Sequence, residues 1–274
     1  MTKIITLTNQ KGGVGKTTTC AGLCGCLTKL GKKVLALDLD PQGNLSFSLG
    51  ADTDSSYTIY DVFKRKADIY DTVQHCDCCD VVPANILLSG VELEITSVGR
   101  EYMLREHIST IADQYDYVLV DTPPALSILT INAYAASNQL VIPMVPEILS
   151  LQGIAQLKET IFAVKKYYNP ALEIRGILLN KYSPRLVLTK EVEELANIIA
   201  DQLDTDVFEQ KISGSVIIAE APAHAKTIIE YAPRSKSARE FMDLTYEILG
   251  LEKPKRTEQK LGRGRPPKNR PPQY

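Results

Sequence analysis

The densest chemistry in the chain is the run Lys11-Gly12-Gly13-Val14-Gly15-Lys16-Thr17-Thr18. Three glycines let the backbone turn its amides toward an anion without Cβ clashes. In such a cradle, which takes in Val14 and Thr18, Lys16 reaches the β- and γ-phosphates of a nucleotide and the Thr17 hydroxyl offers a hard oxygen to Mg²⁺. The general pattern G-x-x-x-x-G-K-[ST] would put its first glycine at position 10, where this chain has Gln10. Two acidic segments complement the lysines. Asp38 and Asp40 stand two apart in Asp38-Leu39-Asp40-Pro41-Gln42-Gly43-Asn44, so an extended backbone puts both on one face. Asp121 follows the apolar run Tyr117–Val120 and can hold Mg²⁺ or its water ligands, because the ion prefers hard oxygens. An acidic strand end alone is ordinarily a solvated turn; here it accompanies a glycine loop ending in Lys-Thr-Thr.

These residues need a scaffold that brings them together. Lys3–Thr8 is a short β-rich run, and a helix is expected over Thr17–Leu30, closed by Gly31. Lys33–Leu37, Val81-Val82, Tyr117–Val120, Gln139–Ile142 and Ile174–Leu179 read as further strands. Helical patterns cover Arg100–Ile111, Ile128–Ala136, Leu149–Tyr167, Thr189–Gln202 and Ser237–Leu249. Apolar strands alternating with helices predict an α/β fold: one mostly parallel twisted sheet with helices on both faces. Ligands of such sheets bind beyond the carboxyl ends of the strands, where the glycines and acids fall.

The run KGGVGKTT, with its early Lys11, resembles the deviant Walker A motif of the ParA/MinD group of P-loop ATPases. Asp38–Asn44 is similar to that group's DxDPQGN segment, and Asp121-Thr122-Pro123-Pro124 to its Walker B segment. The resemblance spans residues 3–250. It implies a single P-loop NTPase domain that hydrolyses ATP with Mg²⁺ and dimerises around the nucleotide. It assigns Lys11 to the nucleotide of the partner subunit and Asp40 to the attacking water. Asp38 would support the Mg²⁺ shell through water, and Asn180 stands where relatives contact adenine. Asn at a strand end is otherwise an ordinary turn residue.

Within the group, DPQGN, DTPP, Glu220–His224 and Tyr231–Ser235 resemble ParA/Soj-type partition ATPases, which lack an extra N-terminal DNA-binding domain. The carboxyl end, GRGRPPKNRPPQY, has no apolar face of the kind that membrane-bound relatives use. Cys20, Cys24 and Cys26 fall in the first helix and read as small core residues. His75-Cys76-Asp77-Cys78-Cys79 carries metal-ligating side chains but no spaced second half-site, so an ordinary loop competes with a zinc site.

Composition limits the rest. The 274 residues are 44% hydrophobic and 23% charged, with a net charge of −2, as in a folded globular protein rather than a disordered or fibrous one. No apolar run approaches the roughly eighteen residues of a membrane span, and the first residues lack a signal-peptide core. A cytoplasmic protein with reduced thiols is expected, nucleoid-associated when ATP-bound if the resemblance holds. The charge is uneven: residues 252–274 contain eight lysines and arginines against two glutamates, with five of the fifteen prolines. We therefore expect a folded domain over 1–251 and a disordered basic arm over 252–274.

A basic arm on an acidic body points to a polyanion. Within the arm, Arg263, Arg265 and Lys268 form a segment similar to an AT-hook, suited to the narrow minor groove of A·T-rich DNA. In the body, Arg185 falls near a DNA-binding arginine of Soj-type relatives, a second such arginine is replaced by Ile217, and Arg234, Lys236 and Arg239 are further candidates. The resemblance implies a homodimer, non-specific DNA and a ParB-type centromere-binding protein as partners, in the segregation of a plasmid, chromosome or mobile element. A nucleotide-gated DNA-binding regulator, or an ATPase positioning another cargo, are the alternatives.

Overall fold

The computed structural model describes residues 2–54, 56–145, 154–183 and 189–254. Among these residues, eight strands form one sheet: β1 (Lys3–Leu7), β2 (Val34–Asp38), β3 (Gln74–His75), β4 (Asp80–Val82), β5 (Tyr117–Asp121), β6 (Gln139–Met144), β7 (Glu173–Tyr182) and β8 (Ile212–Ser213). Their order is β3-β4-β2-β5-β1-β6-β7-β8. Every pairing is parallel except that of β3 with β4. Strands β2 and β6 are buried along their whole length because helices cover both faces.

Two hydrophobic clusters lie on the two faces. One packs α1 (Lys16–Lys29) and the helix Lys236–Leu249 against the sheet through Leu23, Leu27, Phe241 and Leu244. The other includes Leu129, Tyr134, Leu157, Ile161 and Ile199 from the helices Ile128–Ala136, Ile154–Tyr167 and Thr189–Leu203. Most expected elements occur within one or two residues of their anticipated bounds. The helix expected over Arg100–Ile111 is shorter: a 3₁₀ turn over Arg100–Tyr102 leads into Met103–Ser109. The start expected at Leu149 lies outside the described residues. The two-residue strands β3 and β8, and short helices such as α2 (Asn44–Leu49), carry too few residues for a periodic signal.

Register aligns the chemistry. Leu7 at the end of β1 and Asp38 at the end of β2 both pair with Asp121 of β5. The loop after β1, the acids after β2 and the carboxylate ending β5 therefore emerge at one level of the sheet. The expected basic arm lies outside the described residues from position 255 onward.

Candidate nucleotide site

The loop from β1 to α1 is shaped by left-handed glycines: Gly13 at φ +75° and Gly15 at φ +89°. Gly15 caps α1, whose first turn carries no acid of its own. A Cβ at Gly15 would come within 2.7 Å of the Asn180 amide nitrogen. That amide donates to the Val14 carbonyl at 2.9 Å and to Thr19 Oγ1 at 3.1 Å, tying the end of β7 to the loop. Asn180 Oδ1 is buried and has no hydrogen-bond partner.

A cleft of about 860 Å³ opens over this loop. Gly12, Gly13, Gly15, Lys16, Thr17 and Thr18 line one side, with Asp40, Asn180, Lys181 and the stretch Ile212–Ser215 around it. Lys16 is buried, and its ammonium donates to the Lys11 carbonyl at 3.3 Å. Burial pushes its pKa down, while the carboxylates of Asp121 and Asp40 pull the other way. The Thr17 hydroxyl donates to Asp121 Oδ2 at 2.5 Å, leaving its own lone pairs available. Asp121 Oδ1 is buried without a hydrogen-bond partner. Burial, then repulsion from Asp38, raises the Asp121 pKa well above the usual carboxylate range. An orphaned carboxylate oxygen beside a hydroxyl with open lone pairs is a donor set suited to a hard divalent cation. Such a cation would also relieve the crowding of three acids.

The two acids after β2 have different surroundings. Asp40 lines the cleft, and its Oδ1 accepts the Gln42 N–H at 3.0 Å. Asp38 is fully buried and engaged with protein groups. Its Oδ1 accepts the Asp40 N–H at 3.0 Å, and its Oδ2 accepts the Ser46 N–H at 2.9 Å and hydroxyl at 2.8 Å. Ser46 Oγ in turn accepts the Ala84 N–H at 3.0 Å. Asp38 thus fixes the turn that presents Asp40 and the start of α2. Lys11 is half-buried beside the cleft, its N–H donating to Asn9 Oδ1 at 3.0 Å, and it does not line the cavity.

The remaining candidates lie elsewhere. Arg234, Lys236 and Arg239 are exposed at the start of the helix Lys236–Leu249. Lys236 reaches Glu240 at 3.1 Å and Ser213 Oγ at 2.8 Å, and Arg239 donates to the Arg234 carbonyl at 2.9 Å. Arg185, Arg263, Arg265 and Lys268 lie outside the described residues. Cys78 and Cys79 turn into the core with Cys20, Cys24 and Cys26, while His75 pairs with Asp80. Among the described residues, no three His, Cys, Asp or Glu side chains are grouped to hold a metal ion, and no helix is long and apolar enough to cross a membrane. Sequence reasoning did not single out Ser46, Ser213 or Glu240. Only the i,i+4 spacing of Lys236 and Glu240 gave a local hint of any of them.

Comparison with known proteins agrees with this geometry. A family model described as "AAA domain" matches residues 2–174. The sporulation initiation inhibitor protein Soj of Bacillus subtilis is 41% identical over 253 residues, covering 90% of this chain and 98% of that protein. The chromosome partitioning protein ParA of Caulobacter vibrioides is 36% identical over 257 residues, covering 92% and 95%. A Mycobacterium smegmatis structure described as cobyrinic acid a,c-diamide synthase, with bound ATP analog and magnesium, superposes with a TM-score of 0.79 at 31% identity, covering 91% of this chain and 95% of that one. A phosphate loop with an early lysine, two strand-end acids level with it, and this likeness over nine-tenths of its length establish the chain as a member of the ParA/MinD group of P-loop ATPases, of the ParA/Soj type.

Proposed function

We propose that this chain is an ATP hydrolase of the DNA-partitioning kind. It dimerises on binding ATP with Mg²⁺, holds DNA without sequence preference in that state, and is reset by hydrolysis that a ParB-type partner stimulates. The cargo is a plasmid, a chromosome or a mobile element. The observation that carries the reading is the convergence of Lys16, Thr17 and Asp40 on one cleft, with buried Asp121 directly behind the Thr17 hydroxyl and one of its oxygens unpartnered.

Each group has a defined task. The amides of Gly12–Thr17 and the positive end of α1 bind the phosphates, and Lys16 neutralises the β- and γ-oxygens. Thr17 and Asp121 hold Mg²⁺, which when bound offsets charge on those oxygens. Asp40, at the cleft wall, orients the attacking water and accepts its proton. Asp38 acts through Asp40 by fixing the turn. Asn180 braces the loop, and its unpartnered carbonyl oxygen is an acceptor for the adenine amine. Lys11 serves the partner's nucleotide. Exposed Phe47 and Val216 give this side of the molecule an apolar rim suited to a second copy.

Size-exclusion chromatography with ATP, alongside ATP turnover with and without DNA, tests the reading. Lys16→Ala should lose ATP binding. Asp40→Ala should keep it, accumulate as a dimer and lose turnover by about 10²-fold or more. Lys11→Ala should bind ATP yet neither dimerise nor hydrolyse. A monomeric Asp40→Ala protein with bound ATP, or normal turnover by Lys11→Ala, would count against these roles.

A further inference from the structure

One wall of the cleft rests on an unusual support. Ile212, Ser213, Gly214 and Ser215 line it consecutively, with Ile212 paired to Asn180 at the end of β7. The wall begins on β8, a two-residue strand at the edge of the sheet. Among the described residues, β8 pairs only with β7, through Asn180–Ile212 and Tyr182–Ser213, with a register shift between the pairs. So short a ladder holds its strand weakly, and an edge strand has no second neighbour to take its outward N–H groups.

Glu240 supplies what the missing neighbour would. Its side chain projects from the helix Lys236–Leu249, and Glu240 is only 8% exposed. Its Oε2 accepts the Ser213 N–H at 2.9 Å, and its Oε1 accepts the Ser213 hydroxyl at 2.7 Å. The Lys236 ammonium closes the cluster on the solvent side, at 3.1 Å from Glu240 Oε1 and 2.8 Å from Ser213 Oγ. A buried carboxylate with two donors from a single residue fixes that residue's position as well as its orientation.

We propose that Glu240 is a positioning residue of the nucleotide site, holding Ser213, and with it the wall Ile212–Ser215, at the distance that a bound nucleoside requires. The inference rests on the nucleotide reading above. The wall that Glu240 anchors pairs with Asn180, to which that reading gives the adenine, so it belongs to the nucleoside end of the cleft rather than to the Lys16 and Thr17 end. Loosening the wall should therefore weaken ATP and ADP equally, because the two differ only in phosphate. Preference for adenine over guanine nucleotides should fall with it, since discrimination depends on a fixed wall.

The test is equilibrium binding of fluorescent ATP and ADP analogues to the full chain with Mg²⁺, competed with GTP, and with thermal melts of the nucleotide-free protein. Glu240→Ala should weaken both analogues by about tenfold, the loss typical of a charged hydrogen-bond pair. Glu240→Gln keeps one acceptor for the Ser213 N–H and should stay within about threefold of the parent. Ser213→Ala removes only the hydroxyl contact and should cost about two- to fivefold, with an unchanged melt. Should Glu240→Ala fail to fold, the Gln and Ser213 variants decide the matter. Parent-like affinity in both Glu240→Ala and Ser213→Ala, or a Gln variant as weak as the Ala variant, would overturn the proposal. So would a lowered melting temperature with parent-like affinities for both ATP and ADP. If the parent chain binds neither nucleotide, the nucleotide reading itself fails. If the parent binds normally and the variants match it, only the role of Glu240 fails.

Discussion

Asp38 shows how much one buried carboxylate governs. It receives three hydrogen bonds, and burial still pushes its pKa up to about 6. In the unfolded chain an aspartate titrates near ~3.9. The folded state therefore holds the proton more tightly, and the unfolded state releases it first. The stability this protonation contributes is complete below about pH 4 and is lost as pH rises through about 6. A shift of about two units corresponds to about 3 kcal/mol at most. Asp121, also raised by burial, adds to the same slope. Denaturant titrations of the nucleotide-free protein between pH 4 and 7 should show stability falling by this order. Asp38→Asn should flatten the slope while lowering stability overall, because its amide nitrogen would face the Ser46 or Asp40 N–H. A slope equally steep in the variant would show that Asp38 is not its source.

Between elements, the position of the phosphate loop depends on how closely α1 approaches its neighbours. Gly22 and Gly25 make this contact possible. A Cβ at Gly22 would lie 2.6 Å from the Phe241 ring of the helix Lys236–Leu249, and one at Gly25 would overlap the Thr227 side chain. Alanine is otherwise the better helix former by up to about 1 kcal/mol, so these glycines mark packing that outweighs propensity. Gly22→Ala should destabilise the fold by about 1–3 kcal/mol net of that gain, a drop in melting temperature of roughly 2–10 °C. Combining Gly22→Ala with Phe241→Leu should restore part of the loss, since the smaller side chain vacates the contact. Additive losses in the double variant would place the strain elsewhere.

At the scale of the whole molecule, charge is unevenly divided. The body through residue 251 carries the nucleotide cleft and a net negative charge, while residues 252–274 concentrate eight cations. DNA affinity from phosphate neutralisation falls with salt by a log–log slope of about 0.9 per contact. Deleting 252–274 should weaken DNA binding strongly and flatten this slope, with ATP binding and dimerisation retained. Arg265→Ala should lower any preference for A·T-rich over G·C-rich duplexes, as expected for a minor-groove contact. Binding curves on both duplexes at two salt concentrations measure this. Unchanged binding by the truncated chain would move the contact to Arg185, Arg234, Lys236 and Arg239.

The phosphate loop was legible from the sequence because its causes are local. Glycines free to take positive φ, a lysine and threonine at fixed offsets and a helical pattern behind them lie within twenty residues. The parallel sheet followed from apolar runs alternating with helical ones, for the same reason. What the sequence could not carry is which strands are neighbours. That β5 lies between β1 and β2, bringing Asp121 level with Leu7 and Asp38, is a pairing across more than eighty residues. Nor could residue spacing alone apportion the acids, which only the family resemblance told apart. Asp38 and Asp40 have the same side chain two residues apart, and only the packing of Ser46 and Ala84 turns one into a buried brace and leaves the other on the cleft. Lys236 reads in sequence as an open cation, but the fold brings Ser213 of an edge strand to it and to Glu240. Tertiary structure decided these roles because a hydrogen bond depends on which groups meet within about 3 Å, and chain separation does not determine that.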